Sequence, residues 1–291
     1  MRMTAAEKPE DLIAAIASLR GSGTRKMQAI AAAAADDPER FIRDSSKELC
    51  ARLDASEPTL IRFCQSFGYS GLSDFRIDLA LAYARNRRGI GLVEPLAQDR
   101  RNVNRDAKML IAQAALPLIA GDQTLLIDNG STAECFAECL AEAQPLTVMT
   151  TSLTVAHILL TQGHHEVMLT GGRVRPNARA LSGRLVEVSL AEFRFDTLIM
   201  GADSIDPKSG LSTFREDEAQ VNRALLAGAE RAVALADSTK FGKPSLHRIC
   251  GFEALSHLVT NLDETDDNLE AIRQTGLQVQ IAHPHSQEAA E

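Results

Sequence analysis

The periodicity of the apolar residues changes once along this chain, close to residue 106, and that change constrains the fold more than any other feature. Before it, apolar positions recur at helical spacing. "PEDLIAAIASLR" places Leu12, Ile13, Ile16 and Leu19 on one stripe, the i, i+3, i+4, i+7 pattern of an amphipathic helix. After it, the short apolar runs "TLLIDNG", "LTVMTTS", "EVMLTGG", "FDTLIMGAD", "AVALADS" and "HLVTNL" alternate with helical stretches. Alternation of that kind predicts an α/β domain with a largely parallel sheet. A helical period does not sit in a strand, nor the reverse, so the chain is read as two domains, and 291 residues leave room for both.

The expected division is a helical domain over 1–88, a linker over 89–106 and an α/β domain over 107–285. The stretch "RNRRGIGLVEPLAQDRRNVNRD" (85–106) is polar and basic, with two glycines and a proline, and reads as a connector. No apolar run approaches the length of a membrane span. "MRMTAAEKPEDLIAA" lacks the pattern of an export signal, so a cytoplasmic location without a membrane partner is expected. Five cysteines at irregular spacings fit a reducing compartment. Cys135 and Cys139 lie one helical turn apart, yet no nearby His or Cys completes a metal set, and His164–His165 and the "HPH" tail likewise lack partners. No metal and no cofactor is expected. The net charge of −8 is uneven: residues 1–88 hold 14 Lys/Arg against 12 Asp/Glu, and the remaining 203 hold 17 against 27. Any nucleic-acid contact must therefore be local to the N-terminal part, because bulk charge does not supply it.

Within that part, "SSKELCARLDASEPTLIRFCQSFGYSGLSDFRIDL" (45–79) reads as two helices joined by a tight turn, Ser56 capping the second and Pro58 in its first turn. Leu60, Phe63, Cys64 and Phe67 form an apolar face, with Thr59, Arg62 and Gln65–Ser66 away from it. Such a helix suits the major groove of DNA; the alternatives are a helical bundle with a solvated face, or one that serves self-assembly. The run "SEPTLIRFCQSFGYSGLSDFRIDLA" (56–80) resembles the N-terminal DNA-binding domain of the RpiR family of bacterial transcription regulators. The resemblance spans residues 9 to 85 and implies a recognition helix over 56–66, with Ser56, Thr59 and Arg62 at double-stranded operator DNA. Gln65 and Lys47 are the further DNA candidates.

In the C-terminal part, "IDNGSTAECF" (127–136) reads as strand, tight polar loop, then helix. The backbone amides of Gly130, Ser131 and Thr132, with two hydroxyls, make an anion seat behind Asp128. It lacks the Lys of a Walker loop and the glycines of a dinucleotide fingerprint. "TTS", with Thr151 and Ser152, ends the next strand in the same way. "TGGR" supplies Gly171, Gly172 and Arg173, and "ADSTKFG" supplies Lys240. Together these strand ends favour a phosphorylated polyol. The pieces "DNGST", "TVMTTSL", "LTGGRVRPNARALSG", "FDTLIMGADSIDPKSGLST", "EDEAQVNRAL" and "ADSTKFG" look like the effector-binding domain of the DeoR family of sugar-responsive repressors. That resemblance implies a ribose-5-phosphate isomerase-like fold and a phosphorylated sugar as effector. The join is unusual, since an RpiR-type domain normally precedes a sugar-isomerase-type domain and a DeoR-type domain normally follows a winged helix.

An aldose–ketose isomerase needs a base for a carbon-bound proton and stabilisation of the enediolate. In ribose-5-phosphate isomerases the corresponding loop begins Asp-Gly-Ala-Asp; here it is "MGAD", so Met200 stands at the first carboxylate position and Asp203 alone matches. Their Lys-Gly-Gly-Gly segment is also missing, Lys208 lies too early, and Glu216 or Glu218 is a loose candidate base. No catalytic residue is therefore assigned. Asp203 is expected to bind sugar hydroxyls and Asp206 to serve a turn. The expected function is a transcriptional regulator of carbohydrate genes, a repressor acting as a homodimer or homotetramer. The alternative is a phosphosugar isomerase-like enzyme fused to a DNA-binding domain.

Overall fold

The computed structural model describes residues 11–86, 94–242 and 244–283. The chain divides into two compact units between Val103 and Asn104.

The first unit is helical, without a strand among its described residues: α1 (Leu12–Ser18), α2 (Arg25–Asp36), α3 (Pro38–Arg43), α4 (Ser46–Leu53), α5 (Glu57–Gln65), α6 (Leu72–Asn86) and α7 (Ala97–Asn102). Local chemistry sets the boundaries. Asp37 leaves the helical conformation and caps α3 by accepting the Arg40 amide, with Pro38 in the first turn. Ser45 and Glu48 form a reciprocal capping box at the start of α4, at 3.2 and 2.7 Å. The core gathers Leu12, Ile16, Ile30, Phe41, Leu49, Leu60, Phe63 and Phe75, with Phe63 and Phe75 edge to face at 5.4 Å. Burying each such side chain contributes about 1.5–3 kcal/mol.

The stretch expected as a linker is not uniform. Residues 89–93 lie outside the described residues, 97–102 form α7, and Arg105 already begins the next helix. α7 belongs to the first unit because Asp99 is buried there, accepting from Ser73 Oγ at 2.7 Å and facing the Arg76 guanidinium at 3.4 Å. Arg76 also donates to the Asp44 carbonyl. A buried guanidinium left without its carboxylate would be costly, so this pair pins α7 to α6. Its polar, basic composition, with two glycines and a proline, is what made the stretch read as a connector.

The second unit runs α8 (Arg105–Ala115), β1 (Thr124–Ile127), α9 (Ser131–Cys139), β2 (Thr147–Thr150), α10 (Leu153–Gln162), β3 (Glu166–Leu169), β4 (Arg173–Arg175), β5 (Ala180–Ser182), α11 (Arg184–Ala191) and β6 (Phe195–Gly201). It continues with β7 (Ser204–Asp206), β8 (Gly210–Thr213), α12 (Glu216–Ala227), β9 (Ala229–Ala236), β10 (His247–Cys250), β11 (His257–Thr260), α13 (Asp267–Arg273) and β12 (Gln278–Ile281). Seven strands in the order β12-β11-β9-β6-β1-β2-β3 form one sheet whose pairs are all parallel. β10-β8-β7 form a small antiparallel sheet and β4-β5 a ribbon.

The central strands are apolar over most of their length, with Asp196 in β6 and Glu230 and Arg231 in β9 confined to their first halves, because both faces are covered. Leu126, Leu198, Met200 and Ala234 enter one core layer, while Leu125, Ile127, Ile199 and Val233 enter the other. Period-two alternation therefore sorts side chains between two layers rather than between core and solvent. From β1 the chain builds outward through β2 and β3, then crosses back to β6 and builds the other way. The β1/β6 boundary is thus a topological switch point, where open α/β sheets leave a crevice at the carboxyl ends of their strands.

Candidate functional site

α4 and α5 are joined by a short turn in which Asp54 takes a left-handed conformation (φ 45°). Leu60, Phe63, Cys64 and Phe67 are buried, as the apolar spacing predicts, while Ser56, Arg62, Gln65 and Lys47 are exposed and Thr59 is half-buried. One expectation is corrected. Ser56 occupies the N-cap position of α5, but its side chain caps no backbone amide; its Oγ pairs with Thr59 Oγ1 at 2.8 Å. Two hydroxyls locked to each other at the helix start present one polar edge outward.

At the other candidate site, the adjacent strands β9, β6, β1, β2 and β3 carry the loops 237–240, 201–203, 128–132, 150–152 and 170–173 at their carboxyl ends, side by side. Every loop singled out from the sequence therefore lies along one sheet edge. Gly130 and Gly201 meet at the switch point, where a methyl on Gly130 would lie 3.4 Å from the Gly201 Cα. α9 begins at Ser131 and α10 at Leu153, so both helix N-termini point their free amides along this edge. Thr132, Thr151 and Ser152 are buried and Ser131 half-buried. Ser152 Oγ accepts the Val155 amide at 3.2 Å, which caps α10 and leaves its hydroxyl hydrogen as a donor. Thr151 Oγ1 is buried without a hydrogen-bond partner.

Asp128 is buried beneath these loops. Its carboxylate receives the backbone amides of Asn129 and Gly201, yet Oδ1 has no partner. Burial, with the charge of Asp203 added, pushes its carboxyl up to about 6, against the pull of the two amides and of Arg175. Asp203 Oδ2 accepts from Thr213 Oγ1 at 2.8 Å, fixing the carboxylate across the start of the β7–β8 hairpin. Asp206 is the turn residue that its position before Pro207 predicts, accepting from Ser209 N–H at 2.8 Å and Ser209 Oγ at 2.7 Å. Met200 is fully buried in the core. Lys240 closes a 3-10 turn after Asp237. Burial acts to raise the Asp237 carboxyl, but Lys240, Thr239 and Lys108 hold it below its ordinary value. Gly242 donates to the Ile205 carbonyl at 3.0 Å, so this loop is tied to the strand that follows Asp203.

Gly171 and Gly172 both take positive φ (72° and 115°), and a side chain at 172 would strike the Ser182 carbonyl. Arg173 lies exposed on the β4–β5 ribbon. The buried cation is Arg175, two residues on, facing Glu218 at 3.4 Å and Asp217 at 3.9 Å. Arg215 grips Asp217 with two hydrogen bonds at 2.9 and 2.8 Å. This cluster was missed as a site. "RVR" and "EDE" lie about forty residues apart, and no spacing rule joins them. Among the described residues no His, Cys, Asp or Glu side chains group in a way that would hold a metal ion, and no helix is long and apolar enough to cross a membrane.

A helix-turn-helix unit followed by a parallel α/β unit with its polar loops at a switch point defines a ligand-responsive DNA-binding protein. The chain belongs to the DeoR family: the model of the DeoR C-terminal sensor domain matches residues 103–262. The helix-turn-helix domain of the rpiR family matches residues 12–86. The chain is a DNA-binding transcription regulator. It is 34% identical over 187 residues to the provisionally named aga operon transcriptional repressor of Escherichia coli O157:H7, covering 64% of this chain and 70% of that one. It is 28% identical over 222 residues to the glycerol-3-phosphate regulon repressor of Haemophilus influenzae, covering 74% and 82%. Among solved structures, ribose 5-phosphate isomerase A of Methanocaldococcus jannaschii aligns with 48% of this chain and 56% of its own, at 19% identity and a TM-score of 0.37.

Proposed function

We propose that this regulator is a repressor of carbohydrate genes, located in the cytoplasm, whose grip on operator DNA is set by a phosphorylated sugar. The observation that carries the reading is the row of polar loops at one sheet edge, with two helix N-termini and Lys240 available to a phosphate. Ser131, Thr132, Ser152 and Lys240 hold the phosphate, and Asp203 with Asp128 holds sugar hydroxyls. Arg62, Gln65, Thr59 and Ser56 read base edges, and Lys47 contacts the backbone. Two relatives carry the name of repressor, and one is named for the regulon of a phosphorylated polyol, which supports the ligand class.

Thermal-shift measurement against a panel of pentose, hexose and polyol phosphates tests the reading. A phosphorylated member is expected to raise the melting temperature where its unphosphorylated parent does not. Lys240→Ala is expected to weaken that ligand by roughly 1.5–3 kcal/mol, the worth of a charge-assisted contact; because Lys240 also holds the buried Asp237 carboxyl, the unliganded variant is expected to melt lower, and the test is the loss of the ligand-induced shift measured against the variant's own baseline. The isomerase alternative is weighed on the same preparation. Met200 supplies no proton acceptor and is buried in the core, so no steady aldose–ketose turnover is expected. Turnover abolished by Asp203→Asn would overturn the sensor-only reading.

A further inference from the structure

The first residue of the sensor unit is tied to the candidate phosphate loop. Taking Lys240 as a phosphate ligand, we infer that Asn104 transmits the occupancy of that loop to the chain segment arriving from the helical unit. α7 ends at Asn102 and α8 begins at Arg105, so the chain passes from one to the other through Val103 and Asn104 alone. The division of the molecule falls between those two residues.

Asn104 stands at the N-cap position of α8, where asparagine ordinarily keeps its backbone extended and turns its side chain onto the first free amides of the helix. Here the side chain caps no amide, and the backbone is left-handed, with φ 55° and ψ 33°. Asp11, Thr24, Asp37, Ser45 and Ser152, by contrast, all cap their own helices. The Asn104 side chain donates instead to Asp237 Oδ1 at 3.4 Å. Asparagine tolerates the left-handed region better than most residues, but the conformation still costs energy. The contact with Asp237 is thus held against a backbone preference and in place of a helix cap.

Asp237 is buried just past the carboxyl end of β9, and the same Oδ1 accepts the Thr239 amide at 3.0 Å and the Thr239 hydroxyl. One oxygen therefore closes the turn that carries Lys240 and holds Asn104. Its charge is stabilised by Lys240 from the loop and by buried Lys108, which lies four residues after Asn104 and so on the same side of α8. A phosphate that draws Lys240 into the site leaves the buried carboxylate to Lys108 and Asn104, which then hold it more firmly. From Arg105 onward α8 is fixed: Arg105 pairs with Glu138 of α9 at 2.7 Å, and the helix packs against β9 and β11. A change at Asn104 has one soft outlet, the backbone of Asn104 and Val103.

Titration of the full-length protein with DNA tests this without any effector, the probe being a duplex selected from a random pool by the unaltered chain. Lys240→Ala removes from Asp237 the cation that a bound phosphate would draw away. It is expected to change affinity for that duplex at least about fivefold, the lower end of allosteric couplings. Asn104→Gly keeps the left-handed backbone and removes the side-chain amide. Alone it is expected to leave affinity within about twofold, and in its background Lys240→Ala is expected to change affinity by less than about twofold. Unchanged affinity in Lys240→Ala, or an equal change in both backgrounds, overturns the inference. If a variant fails to fold, amide exchange on the unaltered protein decides. The Lys108 amide donates to the Asn104 carbonyl at 3.0 Å. It is expected to exchange roughly tenfold more slowly in saturating inorganic phosphate than in chloride, and equal rates overturn the relay. A sugar phosphate that raises the melting temperature while the Lys240→Ala effect survives Asn104→Gly removes the relay and keeps the sensor. An intact relay with no such ligand does the converse.

Discussion

Asp128 shows how much one buried carboxyl can control. Its value lies near 6 in the folded protein against 3.8 for the ordinary side chain, so between those values the folded state holds the extra proton. The stability tied to that proton is complete below about pH 4 and is lost as the pH rises through about 6. Asp128→Asn is therefore expected to stabilise the ligand-free protein at pH 7.5 by up to about 3 kcal/mol and to change little at pH 4, as read by calorimetry at both values. An equal effect at both would show that the carboxyl is not held protonated by burial. The same variant is expected to lose affinity for the sugar phosphate, since a charged acceptor is replaced by a weaker neutral one. The position of Asp128 at a strand end was legible in "IDNGST". Its burial was not, because that depends on Gly201 and Asp203, more than seventy residues away.

At the scale of single elements, α5 is a helix whose two faces do separate work. Arg62→Ala is expected to weaken operator binding by about 1–3 kcal/mol and to relax sequence preference, whereas Lys47→Ala is expected to weaken all sequences alike and lower the salt slope by about one. Titration of labelled DNA at several salt concentrations separates the two. The β7–β8 hairpin is equally exposed to a single change. Gly210 has φ 83°, and a Cβ there would collide with the Cys250 carbonyl, so Gly210→Ala combines backbone strain with a clash. It is expected to cost more than about 1 kcal/mol and to lower sugar-phosphate affinity, because the hairpin holds Thr213 against Asp203. Unchanged melting and binding would count against the hairpin as the support of that carboxylate. The six apolar runs read from the sequence each contain a strand of the parallel sheet, since continuous apolar runs are what two covered faces demand. β4, β5, β7, β8 and β10 were missed. They are strands of three or four residues whose pairing is antiparallel and set by turns, too short for a period to register. β12 was missed for a different reason: at the sheet edge, Gln278 and Gln280 break the apolar run.

For the whole molecule, the division between Val103 and Asn104 predicts how the chain melts. A saturating sugar phosphate at 100 times its dissociation constant adds about 2.7 kcal/mol. It is expected to raise the transition of the C-terminal unit by about 5–10 °C and to leave that of the helical unit in place. Phe63→Ala, by contrast, is expected to lower only the helical unit's transition, by about 3–5 kcal/mol of stability. Scanning calorimetry with and without ligand reads both; a single transition that moves as one would show that the units do not melt independently. The two-part plan is carried in the sequence by its change of period, whereas α7 is held to the helical unit by the buried Arg76–Asp99 pair rather than by any pattern of its own. Met200 carries a last consequence, for what its position can accept. It lies fully buried among Leu198, Ile205 and Ala234, so an aspartate placed there would set an unpartnered charge in hydrocarbon, at a cost of several kcal/mol, and folding excludes a carboxylate at this position before any chemistry could use it.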